Sequence, residues 1–289
     1  MFIPHLFITL FPNELAKVDK GKSIVLIGAG NLASHLGPAL YKSGYKIVQG
    51  VSRSIETSSL LAQKLGAVPE TSFANINGDA DFYLICVSDS QIETVVRNLN
   101  PENKFLIHTS GSTDVNIFSS YCKRYGVLYP LQTFSKNKEM DLAGVPFFTE
   151  ASSPKELDSI DRIANSVSEI VQHGSSELRL YLHVCAVFTC SFTNQMYRIA
   201  EEICKEKGIP FEYLHPLILE TAVKAGRISP AMAQTGPVSR NDQLIMKKHI
   251  HLLEDHPEFR KIYTFVAASI LKMNGHSTEF LNAQPGKDE

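Results

Sequence analysis

The chain has 289 residues, long enough for two domains, and its 44% hydrophobic and 20% charged residues describe a folded protein and exclude a disordered one. A net charge of -2 gives no electrostatic case for nucleic acid or an anionic membrane as partner. The five cysteines, Cys86, Cys122, Cys185, Cys190 and Cys204, are scattered and include no C-x-x-C pair. A disulfide framework and a zinc site are therefore not expected, and the chain reads as cytoplasmic with reduced thiols.

Residues 1–11 are apolar but too short to span a bilayer, lack a basic start, and are broken by Pro4 and His5, with Pro12 following. Residues 1–20 are read as an N-terminal extension, and no later run suits a membrane span. The organising stretch follows. Ile24, Val25, Leu26 and Ile27 form an unbroken apolar run, as in a parallel strand buried on both faces. Gly28-Ala29-Gly30-Asn31-Leu32-Ala33 then has the spacing G-x-G-x-x-A. The first glycine permits a sharp turn, the second lets a pyrophosphate approach the backbone, and the small Ala33 lets the next helix pack closely. A helix beginning near Asn31 would aim its free N–H groups at phosphate. Gly28, Ala29, Gly30, Asn31 and Leu32 are thus predicted to hold a dinucleotide.

Leu32, Leu36, Ala39 and Leu40 recur at helical spacing up to Gly44, with Pro38 expected to bend that helix. A second strand over 45–51 ends in Ser52-Arg53-Ser54. An NAD-specific fold would place a carboxylate here for the ribose 2′-hydroxyl. A guanidinium between two hydroxyls suits the 2′-phosphate of NADP instead; a solvated turn is the alternative. A helix over 55–65, a brief strand near Val68, and a strand over 82–87 follow. Val87 and Ser88, at the end of that strand, join the cofactor-binding set, and Ser88-Asp89-Ser90 caps a helix over 91–99. A strand over 104–108 ends in His108-Thr109-Ser110-Gly111-Ser112, and a helix is expected from Asp114 to about Tyr121. Strands over 126–131 and 145–149 and a helix over 154–167 complete the alternation. This predicts a doubly wound parallel Rossmann sheet over 21–172, with ligands beyond the carboxyl ends of its strands. Segments 28–33, 52–54, 87–89 and 108–112 all fall at those ends.

From residue 173 the pattern turns all-helical, giving a helical substrate or dimerisation domain over 173–276 and a tail over 277–289. Helices are predicted over 177–207, from 210 to 226, and over 241–254 and 257–273, with an irregular loop over 229–240. The last helices carry apolar stripes that a second copy would bury, so a homodimer is expected. His249, His251 and His256 lack tight ligand spacing, and no metal site is predicted.

Four motifs together carry a resemblance: Gly28-Ala29-Gly30-Asn31-Leu32-Ala33, His108-Thr109-Ser110-Gly111-Ser112, Tyr129-Pro130-Leu131-Gln132-Thr133-Phe134, and Thr235-Gly236-Pro237-Val238-Ser239-Arg240-Asn241-Asp242. Over about residues 21–274 the chain resembles a group of Rossmann-type NADP oxidoreductases whose helical C-terminal domain has no assigned function. More distantly it is similar to pyrroline-5-carboxylate reductase and ketopantoate reductase. The resemblance implies the fold, NADP as cofactor and dimerisation; it implies no substrate.

His108 and Ser110 end a strand where the nicotinamide is expected, and either orient or protonate a substrate or serve only their own turn. Asn194, an amide in an apolar stretch of the long helix, is either a site residue or bonded to a neighbouring helix. His183 lies on the same face but about 16 Å away along the helix axis. Cys190 stands where hydroxyacid dehydrogenases of similar fold carry a catalytic lysine, and no K-x-x-x-N or Y-x-x-x-K pair replaces it. Arg240, at a helix start after Thr235-Gly236-Pro237, is read as an anchor for an anionic substrate group or as a surface arginine. His108, Ser110, Asn194 and Arg240 form the predicted catalytic set. The function read from these residues is NADP(H)-dependent oxidation or reduction of a small, anionic carbonyl or imine metabolite. The competing reading is an NADP(H)-binding or sensing protein without catalysis.

Overall fold

The computed structural model describes residues 19–282 apart from Asn137. The N-terminal extension, except for its last two residues, and the tail beyond residue 282 lie outside the described residues. The chain forms two compact units, one reaching Phe192 and the other starting at Thr193.

The first unit is built on one eight-stranded sheet. Its strands are β1 (Ser23–Ile27), β2 (Lys46–Val51), β3 (Val68–Glu70), β4 (Phe82–Ile85), β5 (Phe105–His108), β6 (Arg124–Pro130), β7 (Phe147–Ala151) and β8 (Val171–His173), in the order β3-β2-β1-β4-β5-β6-β7-β8. The first six are parallel and follow the dinucleotide-binding order, so the direction of winding switches between β1 and β4. Departing from the all-parallel expectation, β7 runs antiparallel to β6, with Pro130 opposite Phe147, and β8 is parallel to β7.

Successive side chains of a strand point to opposite faces, which divides the core in two. Ile24, Leu26, Phe82, Leu84, Phe105 and Ile107 pack under α1 (Ala33–Lys42), α2 (Ile55–Leu65) and α4 (Pro154–Asn165). Val25, Ile27, Tyr83, Ile85 and Leu106 pack under α3 (Asp89–Asn98) and Phe118. Each such buried side chain contributes about 1.5–3 kcal/mol. Two local expectations change. α1 starts at Ala33, and its first amides are left uncapped by any side chain. The segment after Asp114 is one 3-10 turn, Val115–Phe118, capped by the Asp114 carboxylate.

The long helix is α5 (Ser176–Ala186), a π-helical segment (Val187–Phe192) and α6 (Thr193–Glu206). The change of character read at residue 173 lies before α5, but the units divide at Phe192, because α5 is tied to the sheet through Arg179. In the second unit follow α7 (His215–Ala225), the short α8 (Pro230–Ala233), α9 (Gln243–Leu252), α10 (Pro257–Met273) and α11 (Glu279–Asn282). Its buried cluster is small: Met246, Ala267, Leu271 and Leu281. Leu217, Leu219, Met232, Phe265 and Met273 are each more than 60% exposed. No described helix is long and apolar enough to cross a membrane.

Candidate functional site

The glycine loop leaves β1 at the switch point. Gly28 has φ +108, and a Cβ there would stand 2.4 Å from the Cys86 carbonyl oxygen, so only glycine fits. Gly30 is exposed, and a Cβ there would meet nothing within 4 Å. The amides of Asn31, Leu32 and Ala33 find no backbone acceptor among the described residues. Open space above Gly30 and unpaired amides at a helix start form a cradle for a pyrophosphate, so these residues fit a dinucleotide.

At the end of β2, Ser52 and Ser54 are drawn into the cap of α2. The Ser54 hydroxyl accepts from the Thr57 amide at 3.3 Å, and the Ser52 and Thr57 hydroxyls bond each other. Arg53 between them is exposed and pairs with no carboxylate among the described residues. The carboxylate at the end of neighbouring β3, Glu70, is turned to the amides of Thr71 and Ser72 at 2.7 and 2.8 Å. A free guanidinium without a competing carboxylate fits a 2′-phosphate.

Beyond β5 the chain turns through residues 108–113. The Thr109 hydroxyl donates to the Ile85 carbonyl at 3.2 Å. Ser110 Oγ accepts from the amides of Ser112 and Thr113, and the Ser112 hydroxyl donates to Asp89 at the start of α3. His108 is completely buried, its ring edge-on to Phe118, with Nδ1 accepting from the Ser110 amide at 3.2 Å. Burial, reinforced by the nearby charge of Arg179, pushes this imidazole down to about 3. It is therefore neutral, with its proton on Nε2, which makes no well-formed hydrogen bond among the described residues, the Asp114 backbone carbonyl being the acceptor nearby.

Arg179 of α5 secures this loop. Its guanidinium is fully buried and donates to the carbonyls of Ser110 (2.8 Å) and Thr113 (3.1 Å), to the Glu150 carboxylate (2.9 Å) and to the Ser176 hydroxyl (2.8 Å). A second clamp comes from the segment after β6. The Tyr129 ring lies against Gly111, where a Cβ would stand 2.6 Å from its Cζ. Five residues on, the Phe134 carbonyl accepts from the Asn31 side chain at 2.8 Å, and the Ser135 carbonyl contacts His35 Nε2 at 2.9 Å. The glycine loop, the 108–113 loop and the 129–135 segment are thus fastened together.

A cavity of about 410 Å³ opens beside them, lined by Tyr129, Gln132 and Thr133 on one side and by His183, Thr189 and Cys190 of the long helix on the other. Among the described residues, no Asp, Glu, Lys or Arg lines it. A π-helical segment forms part of its wall, a feature frequent at functional sites.

The structure gathers Gly28, Ala29, Gly30, Asn31 and Leu32 at the carboxyl edge of the sheet, with Val87 and Ser88 at the end of neighbouring β4 and His108 and Ser110 at the end of β5. His108 and Ser110 are buried and are not among the residues that line the cavity. Asn194 and Arg240 belong to the second unit, and both are exposed. Sequence reasoning missed Tyr129 as a wall residue and the Arg179–Glu150 pair. An arginine flanked by Leu178 and Leu180 was the available signal. No group of His, Cys, Asp and Glu side chains suited to a metal occurs among the described residues.

Residues 23–111 match the family described as NADP oxidoreductase coenzyme F420-dependent, and residues 145–270 match a domain of unknown function, DUF2520. The "putative NADP oxidoreductase BF3122" of Bacteroides fragilis is 41% identical, with a TM-score of 0.82 covering 86% of this chain and 98% of its own. Protein TM1727 of Thermotoga maritima is 21% identical, with a TM-score of 0.68 covering 87% and 98%. An imine reductase of Myxococcus stipitatus, solved in complex with NADP+, shares the fold at 17% identity and a TM-score of 0.62, covering 88% and 92%. No curated protein matches the chain.

Proposed function

The chain belongs to the NADP oxidoreductase family that the Bacteroides fragilis protein represents, and from that premise we propose that it reduces the C=O or C=N bond of a small metabolite with NADPH. The reading rests on one observation: the glycine loop, the 108–113 loop and the 129–135 segment are fastened together beside a cavity. When bound, the cofactor supplies a hydride. The chain's own residues hold, orient and protonate. Gly28 to Leu32 take the pyrophosphate, Ser52, Arg53 and Ser54 the 2′-phosphate, and Val87 and Ser88 flank the cofactor at the end of β4. His108 and Ser110 act from below, keeping the turn after β5 in shape. Asn194 and Arg240 are assigned substrate contacts; Arg240 is exposed and without an ion pair among the described residues, which suits an anionic group.

The same proposal includes a cytoplasmic homodimer. Its support is the poverty of the second unit's core beside its wealth of exposed apolar side chains. Light scattering at micromolar concentration should give twice the chain mass. The activity is tested by following NADPH absorbance in the presence of cyclic imines, ketones and 2-oxo acids. Consumption with one class, and slower consumption of NADH, is expected. A protein that binds NADPH tightly and consumes it with none of them refutes the reductase reading.

A further inference from the structure

A reduction of this kind needs a proton at the substrate's heteroatom, and neither group at the end of β5 is placed to give one. His108 and Ser110 are buried and absent from the cavity wall. Tyr129, buried with Val115 and Val127 and about as little exposed as Ser110, does contribute to that wall. Its ring is held against Gly111, where even a methyl group would stand 2.6 Å from Cζ and 2.9 Å from Oη. Tyr129 is thus a fixed lining residue whose hydroxyl bonds no described residue, on a wall that has no Asp, Glu, Lys or Arg among the described residues.

Resting on the reductase reading, we propose that Tyr129 is the catalytic acid, and that the part of the substrate it meets is uncharged. As the carbon of the C=O or C=N bond gains a hydride, the π electron pair moves to the oxygen or nitrogen. The Tyr129 O–H bond breaks, its proton joins that atom, and the phenolate recovers a proton from water. The reductant is the nicotinamide of NADPH. Two electrons and one proton are thereby added to the substrate along with the hydride's hydrogen nucleus. Burial raises the Tyr129 phenol above its ordinary range, so it stays protonated at neutral pH. The Arg179 charge acts in the opposite sense and the Asp89 carboxylate in the same sense as burial.

Tyr129→Phe removes the hydroxyl and keeps the ring on Gly111. Two probes separate proton donation from everything else: 3,4-dihydroisoquinoline at alkaline pH, where it is uncharged, and its N-methyl iminium cation, which accepts hydride without a proton. The variant should lose about a hundredfold or more in turnover of the uncharged imine and keep turnover of the cation within a few-fold. Its melting temperature and NADPH affinity should match the wild type. Binding of the corresponding lactam to the cofactor-free protein, read by NMR, should weaken about three- to tenfold through the lost hydrogen bond. Equal loss on both probes, or no loss on either, overturns the assignment. So does selective loss in His183→Asn with none in Tyr129→Phe. A wild type that binds NADPH but reduces neither probe counts against the reductase reading itself. Unchanged lactam affinity in Tyr129→Phe would then separately overturn the contact.

Discussion

Arg179→Met is the sharpest test of how the site is held together. The side chain is fully buried and makes four hydrogen bonds of 2.8–3.1 Å, two of them to loop carbonyls and one to a carboxylate. Methionine fills much of the same volume but donates nothing. The Ser110 carbonyl is then left in a buried place without a donor, at about 1–3 kcal/mol. Breaking a buried ion pair by removing one member costs about 3–5 kcal/mol. Glu150 is 22% exposed and keeps the Ser176 hydroxyl at 2.8 Å, so water relieves part of that cost. The unpaired Arg179 Nε disappears with the substitution, which returns a little more. A net loss of about 3 kcal/mol follows, equivalent to roughly 6–12 °C in melting temperature for a unit of this size. Arg179→Lys should fall between, because an ammonium cannot fork to two carbonyls and a carboxylate at once. Calorimetry on the three proteins measures this directly. A methionine variant melting within about 1 °C of wild type would refute the idea that this guanidinium clamps the loop.

Other outcomes follow from the same geometry. Gly111→Ala forces the Tyr129 ring aside and should cost about 1–3 kcal/mol in urea unfolding, while Ser112→Ala, outside that contact, should cost less. Arg53→Ala should weaken NADPH binding by roughly ten- to a hundredfold and leave NADH binding almost unchanged; equal loss for both would remove the 2′-phosphate assignment. His108 is held neutral when folded, down to about pH 3, whereas the unfolded chain protonates it below its ordinary 6.5. It therefore lends stability that is complete above about pH 6.5 and is lost as pH falls toward 3, at about 1.4 kcal/mol per pH unit. The stability gap between wild type and His108→Phe should shrink as the solution is acidified; parallel pH curves would contradict this.

The sheet was legible because Ile24 to Ile27 and Phe82 to Ile85 are unbroken apolar runs ending in turn residues. The reversal of β7 was not seen, since Phe147 to Ala151 carries no local mark of direction. The clue lay in residues 131–146, which hold no helix, whereas a parallel crossover nearly always requires one. The turn after β1 could be read because the requirement on Gly28 is local. The cavity wall could not: Tyr129 matters because Gly111 lies beneath it, and Arg179 because Ser110, Thr113 and Glu150 converge on it. Those pairings exist only after folding. The π-helical segment likewise has no composition of its own.

The reversed strand also sets where α5 begins. Because β7 and β8 run against the first six strands, α5 starts away from the carboxyl edge, and its residues Ser176 and Arg179 tie it to Glu150 of β7. Through that tie, a ligand in the cavity should brace β7. Amide hydrogens of β7 should therefore exchange more slowly once the cavity is occupied, by up to RT ln(1 + L/Kd) at free ligand concentration L.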